Sequence, residues 1–139
     1  MRKSSKRIWF ICIIGVALVA IEGFARLTGG HDRIPWRENL AEARKESAVT
    51  HKPIFLDFTA SWCGPCQQLK SSTWADAGVA QEMQNYIPVR IDIDANPQLS
   101  EQYRVESIPL FIVLDSKGEM IKRSEGYMDA DDLLSWVRK

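Results

Sequence analysis

Cys63 and Cys66, in the run Trp62-Cys63-Gly64-Pro65-Cys66, are the residues of this chain best placed to do chemistry, because two thiols at that spacing can exchange electrons as a pair. The run follows Ile54-Phe55-Leu56-Asp57-Phe58, which reads as a buried strand. A helix opening near Cys63 would set that sulfur among unpaired backbone N–H groups at the positive end of the macrodipole, where a thiolate is favoured over a thiol. Cys66 would then lie about one turn further on, close enough to attack a mixed disulfide formed by Cys63. The spacing therefore predicts a nucleophile at Cys63 and a resolving thiol at Cys66. Gly64 and Pro65 suit the tight start of such a helix, since a proline in the first turn breaks no helical hydrogen bond.

Two other uses of the pair compete. A zinc site would want a second pair of Cys or His ligands, whereas the remaining cysteine, Cys12, sits in an apolar N-terminal run and His31 and His51 are isolated. A purely structural disulfide at this spacing would close too small a loop to constrain the unfolded chain much. Neither a metal nor a bound cofactor is expected.

The elements that must position the thiols follow from length and pattern. With 139 residues, 26% of them charged and 45% hydrophobic, the chain fits one small globular domain behind an N-terminal appendage. Arg2, Lys3, Lys6 and Arg7 put four positive charges ahead of the uncharged, largely apolar stretch 8–21, leaving 14 basic against 18 acidic residues and a net charge of −4 for the rest. A mildly acidic domain with no basic stripe argues against nucleic acid as a partner. The basic start and apolar stretch make an export signal or a membrane anchor. Fourteen helical residues reach only about 21 Å, but continuation through Glu22 to Leu27 gives about 20 residues, enough to span, and no convincing cleavage site follows. The expectation is an uncleaved anchor over 1–27, with a cleaved signal and a secreted periplasmic product as the alternative. Residues 28–34 read as a linker and 35–139 as the domain. By the positive-inside rule the basic end stays cytoplasmic and the thiol pair works outside.

Along the domain, periodicity and turn chemistry predict helices over 35–49, from Cys63 through Leu69, over 76–85 and over 97–103, with a break at Ser71-Ser72-Thr73. Strands are expected over 54–60, 87–94 and 110–115, the last joined through Ser116-Lys117-Gly118-Glu119 to a hairpin partner over 120–125. Asp129 can cap a last helix running to Arg138. Such an order means an α/β fold, a mixed sheet covered by helices on both faces.

The stretch 55–66, the run Val89-Arg90-Ile91-Asp92-Ile93-Asp94-Ala95-Asn96-Pro97 and the loop Ser107-Ile108-Pro109 together resemble thioredoxin, over roughly residues 50–139. Within that superfamily, Thr73-Trp74-Ala75-Asp76-Ala77-Gly78-Val79 and Glu125-Gly126-Tyr127-Met128-Asp129-Ala130 look more like the C-terminal domain of the bacterial transmembrane thiol:disulfide interchange reductase. The resemblance implies a thioredoxin fold, a redox-active disulfide Cys63–Cys66, disulfide-containing client proteins, a membrane-embedded thiol reductase as electron donor, and a location at the inner membrane facing the periplasm. It makes Asp57 the buried group that takes the proton from Cys66, where an edge-strand Asp facing water is the plainer reading. It makes Pro109 a cis-proline beside which an extended client adds as a strand, with Ile108 before it, where an ordinary trans-proline opening a strand is the alternative.

Trp62 either shields the thiols or is simply core, and Gly126 either admits a client backbone or merely takes an unusual φ. Arg90 stands where thioredoxins commonly carry a lysine near the buried acid; it is either that neighbour or a surface charge. Ser71 replaces the family's kinking proline, and Tyr127-Met128 replaces smaller residues, which points to a different partner surface. Gly64-Pro65 between the cysteines and Ile108 before Pro109 resemble reducing members, with oxidase or isomerase activity as the alternative and a thiol-holding assembly factor as a different class.

Overall fold

The computed structural model describes residues 30–139; the segment expected to be an anchor lies outside them. Among the described residues no helix is long and apolar enough to cross a membrane. Strand β1 (Ile54–Thr59) is buried along its whole length and occupies the centre of a four-stranded sheet of order β2-β1-β3-β4. It pairs in parallel with β2 (Ile87–Asp92) and antiparallel with β3 (Leu110–Leu114), which forms the predicted hairpin with β4 (Met120–Glu125). The continuous Ile-Phe-Leu run suits a strand flanked on both sides and covered on both faces.

Alternation along β1 divides the core. Ile54, Leu56 and Phe58 join Leu40 and Ala43 of helix α1 (Leu40–Thr50), while Leu99 of the later helix packs on the same cluster. Phe55 points the other way, into a cluster with Leu69, Trp74, Val79, Leu133 and Val137. Helix α2 (Gly64–Ser71), α3 (Ala77–Glu82) and α5 (Ala130–Arg138) cover that second face, and α4 (Pro97–Gln102) lies with α1 on the first. Trp74 is fully buried there, its ring edge-on to Trp36, Phe55 and Phe111 at centroid distances of 5.1, 6.0 and 5.7 Å.

Two local outcomes differ from the sequence pattern. The first helix starts at Leu40, not near Pro35, because the Asn39 side chain accepts from the Glu42 amide at 3.1 Å and caps it there. The residues ahead of it are extended: Arg37 pairs with Val89 on the outer edge of β2, donating its amide to Pro88 and accepting from Arg90. Residues 32–34, which read as linker, lie on the domain, with Ile34 buried and the Arg33 amide bonded to the Trp74 carbonyl at 2.8 Å. At the end of α2, the Ser71 and Ser72 hydroxyls both bond back to the Gln68 carbonyl and the helix breaks into a 3-10 turn over Thr73–Ala75. Serines thus end the helix where the family's proline would kink it. Asp129 caps α5 as expected, and Asp76, read as the first helical residue, is instead the N-cap of α3.

Candidate redox site

The strand-to-helix turn after β1 brings the two cysteines together. Cys63 is the N-cap of α2, extended at φ −79° and ψ 103°, and Pro65 occupies the first turn. The sulfurs are bonded to each other, with Cα atoms 5.3 Å apart, and the two residues are only 4% and 3% exposed. The Cys66 amide donates to Cys63 Sγ at 3.2 Å, so the group that a thiolate at Cys63 would need is already aimed at it. Cys66 sits inside the first turn, behind Cys63. The Gln67 side chain steadies the approach by donating to the carbonyls of Ala60 and Ser61.

The loop ahead of β3 closes the other side. Ile108 packs on the cluster of Ala60, Cys63 and Cys66, and its carbonyl oxygen lies 3.8 Å from Cys63 Sγ. The Ile108–Pro109 bond is cis, and the Pro109 carbonyl accepts from the Gly126 amide at 2.8 Å. Gly126 has φ +90°, a conformation costly for any residue with a Cβ, and open space where a Cβ would stand. Trp62 is not core: it is 66% exposed, and its indole N–H donates to Asp94 at 2.8 Å, across 32 residues of sequence. Gly64 and Pro65 are exposed beside it. Cys63, Cys66, Ile108, Pro109 and Gly126 are thus linked by contact or hydrogen bond, with Trp62, Gly64 and Pro65 at the solvent side.

Asp57, six residues before Cys63, is buried at 2% exposure rather than facing water. Strand register sets it beside Arg90, whose Nε donates to Asp57 Oδ2 at 2.9 Å, so the arginine is the acid's neighbour and not a surface charge. Asp57 Oδ1 has no partner among the described residues. Burial pushes this carboxyl from its ordinary 3.8 up to about 6; the Arg90 charge and hydrogen bond oppose the rise, Asp32 adds to it and Lys70 opposes it. A cavity of about 330 Å³ opens alongside, lined by Thr59, Gln67, Lys70, Arg90 and Asp92 among others. Among the described residues no group of three or more His, Cys, Asp or Glu side chains could hold a metal ion.

A family of thioredoxin-like domains matches residues 40–139. The chain belongs to the thioredoxin-like family. Like other members it carries the thiol–disulfide oxidoreductase fold with its Cys63–Cys66 pair, and such proteins work through a redox-active disulfide. Thioredoxin of Chlamydia trachomatis is 37% identical over 103 residues, spanning 74% of this chain and 92% of its own. A thiol:disulfide interchange protein DsbD of Campylobacter jejuni is 35% identical over 103 residues, 71% of this chain, but this chain spans only 18% of that protein's length. A proposed disulphide-isomerase from Bacteroides thetaiotaomicron superposes with a TM-score of 0.69 at 31% identity, covering 78% of this chain and 93% of that one. The oxidoreductase DsbH, at TM-score 0.67 and 24% identity, covers 78% and 85% and shows the shared thioredoxin-like fold.

Sequence reasoning missed three groups around this thioredoxin-like site. Asp94 and Gln67 touch the active turn, and Asp32 reaches Arg90 at 2.7 Å. Asp94 lies in the run that carries the family resemblance and was visible as a repeated acid two residues after Asp92; nothing in the local pattern marked Asp32, whose partner is 58 residues away.

Proposed function

We propose that this chain is a membrane-tethered, extracytoplasmic protein-disulfide reductase. The observation that carries the reading is the placement of Cys63 Sγ at the N-terminus of α2, with the Cys66 amide donating to it and the carbonyl of Ile108, before cis-Pro109, 3.8 Å away. In the dithiol form, the Cys63 thiolate attacks one sulfur of a client disulfide; the client S–S bond breaks, a Cys63–client disulfide forms, and the released client sulfur takes a proton. Cys66 then passes its proton to the Asp57 carboxylate and attacks Cys63 Sγ. The Cys63–client bond breaks, the client's second sulfur leaves as a thiolate and takes a proton, and the electron pair the client gained is matched by the new Cys63–Cys66 bond. A dithiol donor restores the pair by the reverse exchange.

The client segment pairs in extended form beside Pro109, with Trp62, Gly64, Pro65, Ile108 and Gly126 bordering it. Gly64-Pro65 and Ile108 favour the reducing direction, as does the likeness to a thiol:disulfide interchange protein. The four basic residues ahead of the stretch 8–21 support an inner-membrane anchor with the domain outside, re-reduced by a membrane-embedded thiol reductase. One observation favours isomerase activity instead: the 31% identity to the proposed disulphide-isomerase. Trapping in cells with Cys66→Ser, followed by identification of the covalent partners, tests the reading. Client disulfides captured through Cys63, with insulin reduced catalytically by the wild-type protein in dithiothreitol, are expected; stoichiometric binding without turnover would make the protein a thiol-holding factor.

A further inference from the structure

Arg90 does not belong to Asp57 alone. Its Nη1 donates to Asp32 Oδ2 at 2.7 Å while its Nε donates to Asp57 Oδ2 at 2.9 Å, and its guanidinium carbon lies 4.1 Å from the centroid of the Trp36 ring. Asp32 is pinned in turn: the Trp36 indole N–H donates to both of its oxygens, at 3.1 and 3.0 Å, and the Ile34 amide donates to Oδ1 at 3.0 Å. The segment carrying both residues is fastened at either end, by the Arg33 amide on the Trp74 carbonyl and by the pairing of Arg37 with Val89.

This arrangement has an electrostatic consequence. A guanidinium facing one carboxylate can bind it through two parallel N–H bonds, the geometry that most favours the ionised acid. Here Asp57 receives one bond, from Nε, while Asp32 holds Nη1 on the far side of the guanidinium from the Nε/Nη2 pair and so fixes its orientation; Asp57 Oδ1 has no partner among the described residues. Arginine cannot give up its proton, so Arg90 is a fixed charge, and its effect on Asp57 is set by how it is shared. We propose that Asp32 and Trp36 are positioning residues for the exchange reaction: they hold the Arg90 guanidinium between two carboxylates and so set the pH at which Asp57 exchanges a proton with the active-site thiols.

The proposal rests on the reading of Asp57 as the proton acceptor of Cys66. The charges act in the same sense, since Arg90 lowers and Asp32 raises the pKa of a carboxyl that burial brings to about 6. Among the described residues few other charged groups face this acid. Lys70 of α2 opposes the rise, Glu38 and Asp92 share the neighbouring cavity with Arg90 and Lys70, and β3 places the uncharged Phe111 opposite Asp57. Once the disulfide is reduced, the Cys63 and Cys66 thiols join them.

The test is made on the full chain in mild detergent, titrating the 13C-labelled Asp57 carboxyl of the oxidised protein by NMR and measuring the pH profile of Cys66-dependent resolution in the reduced protein. Asp32→Asn should lower the Asp57 midpoint by about 1 pH unit, because the freed guanidinium turns to Asp57 and a nearby negative charge is gone. The rising limb of the resolution profile should move down by the same amount, and this effect of Asp32→Asn should vanish in an Asp57→Asn background. Arg90→Gln should move the midpoint upward. Asp32→Ser, which also removes the charge but keeps an acceptor for the Ile34 amide, repeats the measurement should Asn prevent folding. An Asp57 midpoint that stays in place in the folded Asp32 variants overturns the proposal, and so does a midpoint that moves while the rate profile does not. Wild-type resolution by Asp57→Asn alone would instead bring down the acceptor reading itself.

Discussion

Replacing Asp57 with Asn should stabilise the oxidised protein at neutral pH and leave it unchanged in acid. The wild-type carboxyl is held near 6 in the folded protein, against an ordinary 3.8 when the chain unfolds, because burial penalises its charged form more than Arg90 favours it. A raised folded-state value means that the unfolded chain releases this proton first as pH rises. The stability associated with the protonated acid is therefore fully present below about pH 3.8 and is lost as pH climbs through about 6. Two pH units at about 1.4 kcal/mol each put the loss at about 3 kcal/mol above pH 7. Asn carries no charge to desolvate and its Oδ1 can still accept from Arg90 Nε, while Arg90 keeps its charge partner Asp32. Equilibrium urea unfolding of both proteins from pH 3 to pH 8 should show curves that coincide at the acid end and separate by about 3 kcal/mol at the other. A separation that is constant with pH, or below about 1 kcal/mol at pH 7, would refute the argument from burial.

Cys63→Ser should abolish turnover, while Cys66→Ser should still attack clients and accumulate covalent complexes visible on non-reducing gels; equal trapping by the two would contradict the assigned roles. Trp62→Ala should leave stability within about 0.5 kcal/mol, since the ring is exposed, yet raise KM for protein clients more than it lowers kcat; a drop in stability without a kinetic effect would make Trp62 a packing residue. A reporter fused after Lys139 should be exported and stay with membranes at high salt, whereas a soluble product beginning near Glu22 or Arg26 would identify a cleaved signal.

Local chemistry made much of the domain legible. The Cys63-Gly64-Pro65-Cys66 spacing announced a helix start, the Ser116-Lys117-Gly118-Glu119 turn a hairpin, and Asp129 a helix cap, each because the decisive contacts lie within a few residues. Asp57 stood out for a similar reason, as one acid inside a strand otherwise buried and apolar. The start of α1 was less clear: Pro35-Trp36 is as good a helix opening as Asn39, and the choice was made by the outer edge of β2, which takes Arg37 as an added pairing partner. Asp32 was unreadable on the same grounds. Its role depends on Arg90 and Trp36 meeting across the sheet edge, and neither the spacing nor the composition of 28–34 encodes that meeting. Trp62 was legible only as a choice between shielding the thiols and lying in the core, and it is the Asp94 carboxylate, 32 residues away, that holds it at the surface.

The direction of electron flow is the central claim, and the reduction potential of the Cys63–Cys66 pair tests it most directly. Equilibration of the purified protein against glutathione buffers, with the dithiol and disulfide forms separated after acid quenching and alkylation, gives the value. The Gly64-Pro65 pair between the cysteines and Ile108 before Pro109 lead to an expectation close to about −270 mV, where reducing thioredoxins lie. At about 30 mV per 1.4 kcal/mol, a displacement of about 100 mV would reverse which partners the pair can drive. A value above about −150 mV, with the protein found chiefly as the disulfide in cells, would contradict the reductase account and make it an oxidase.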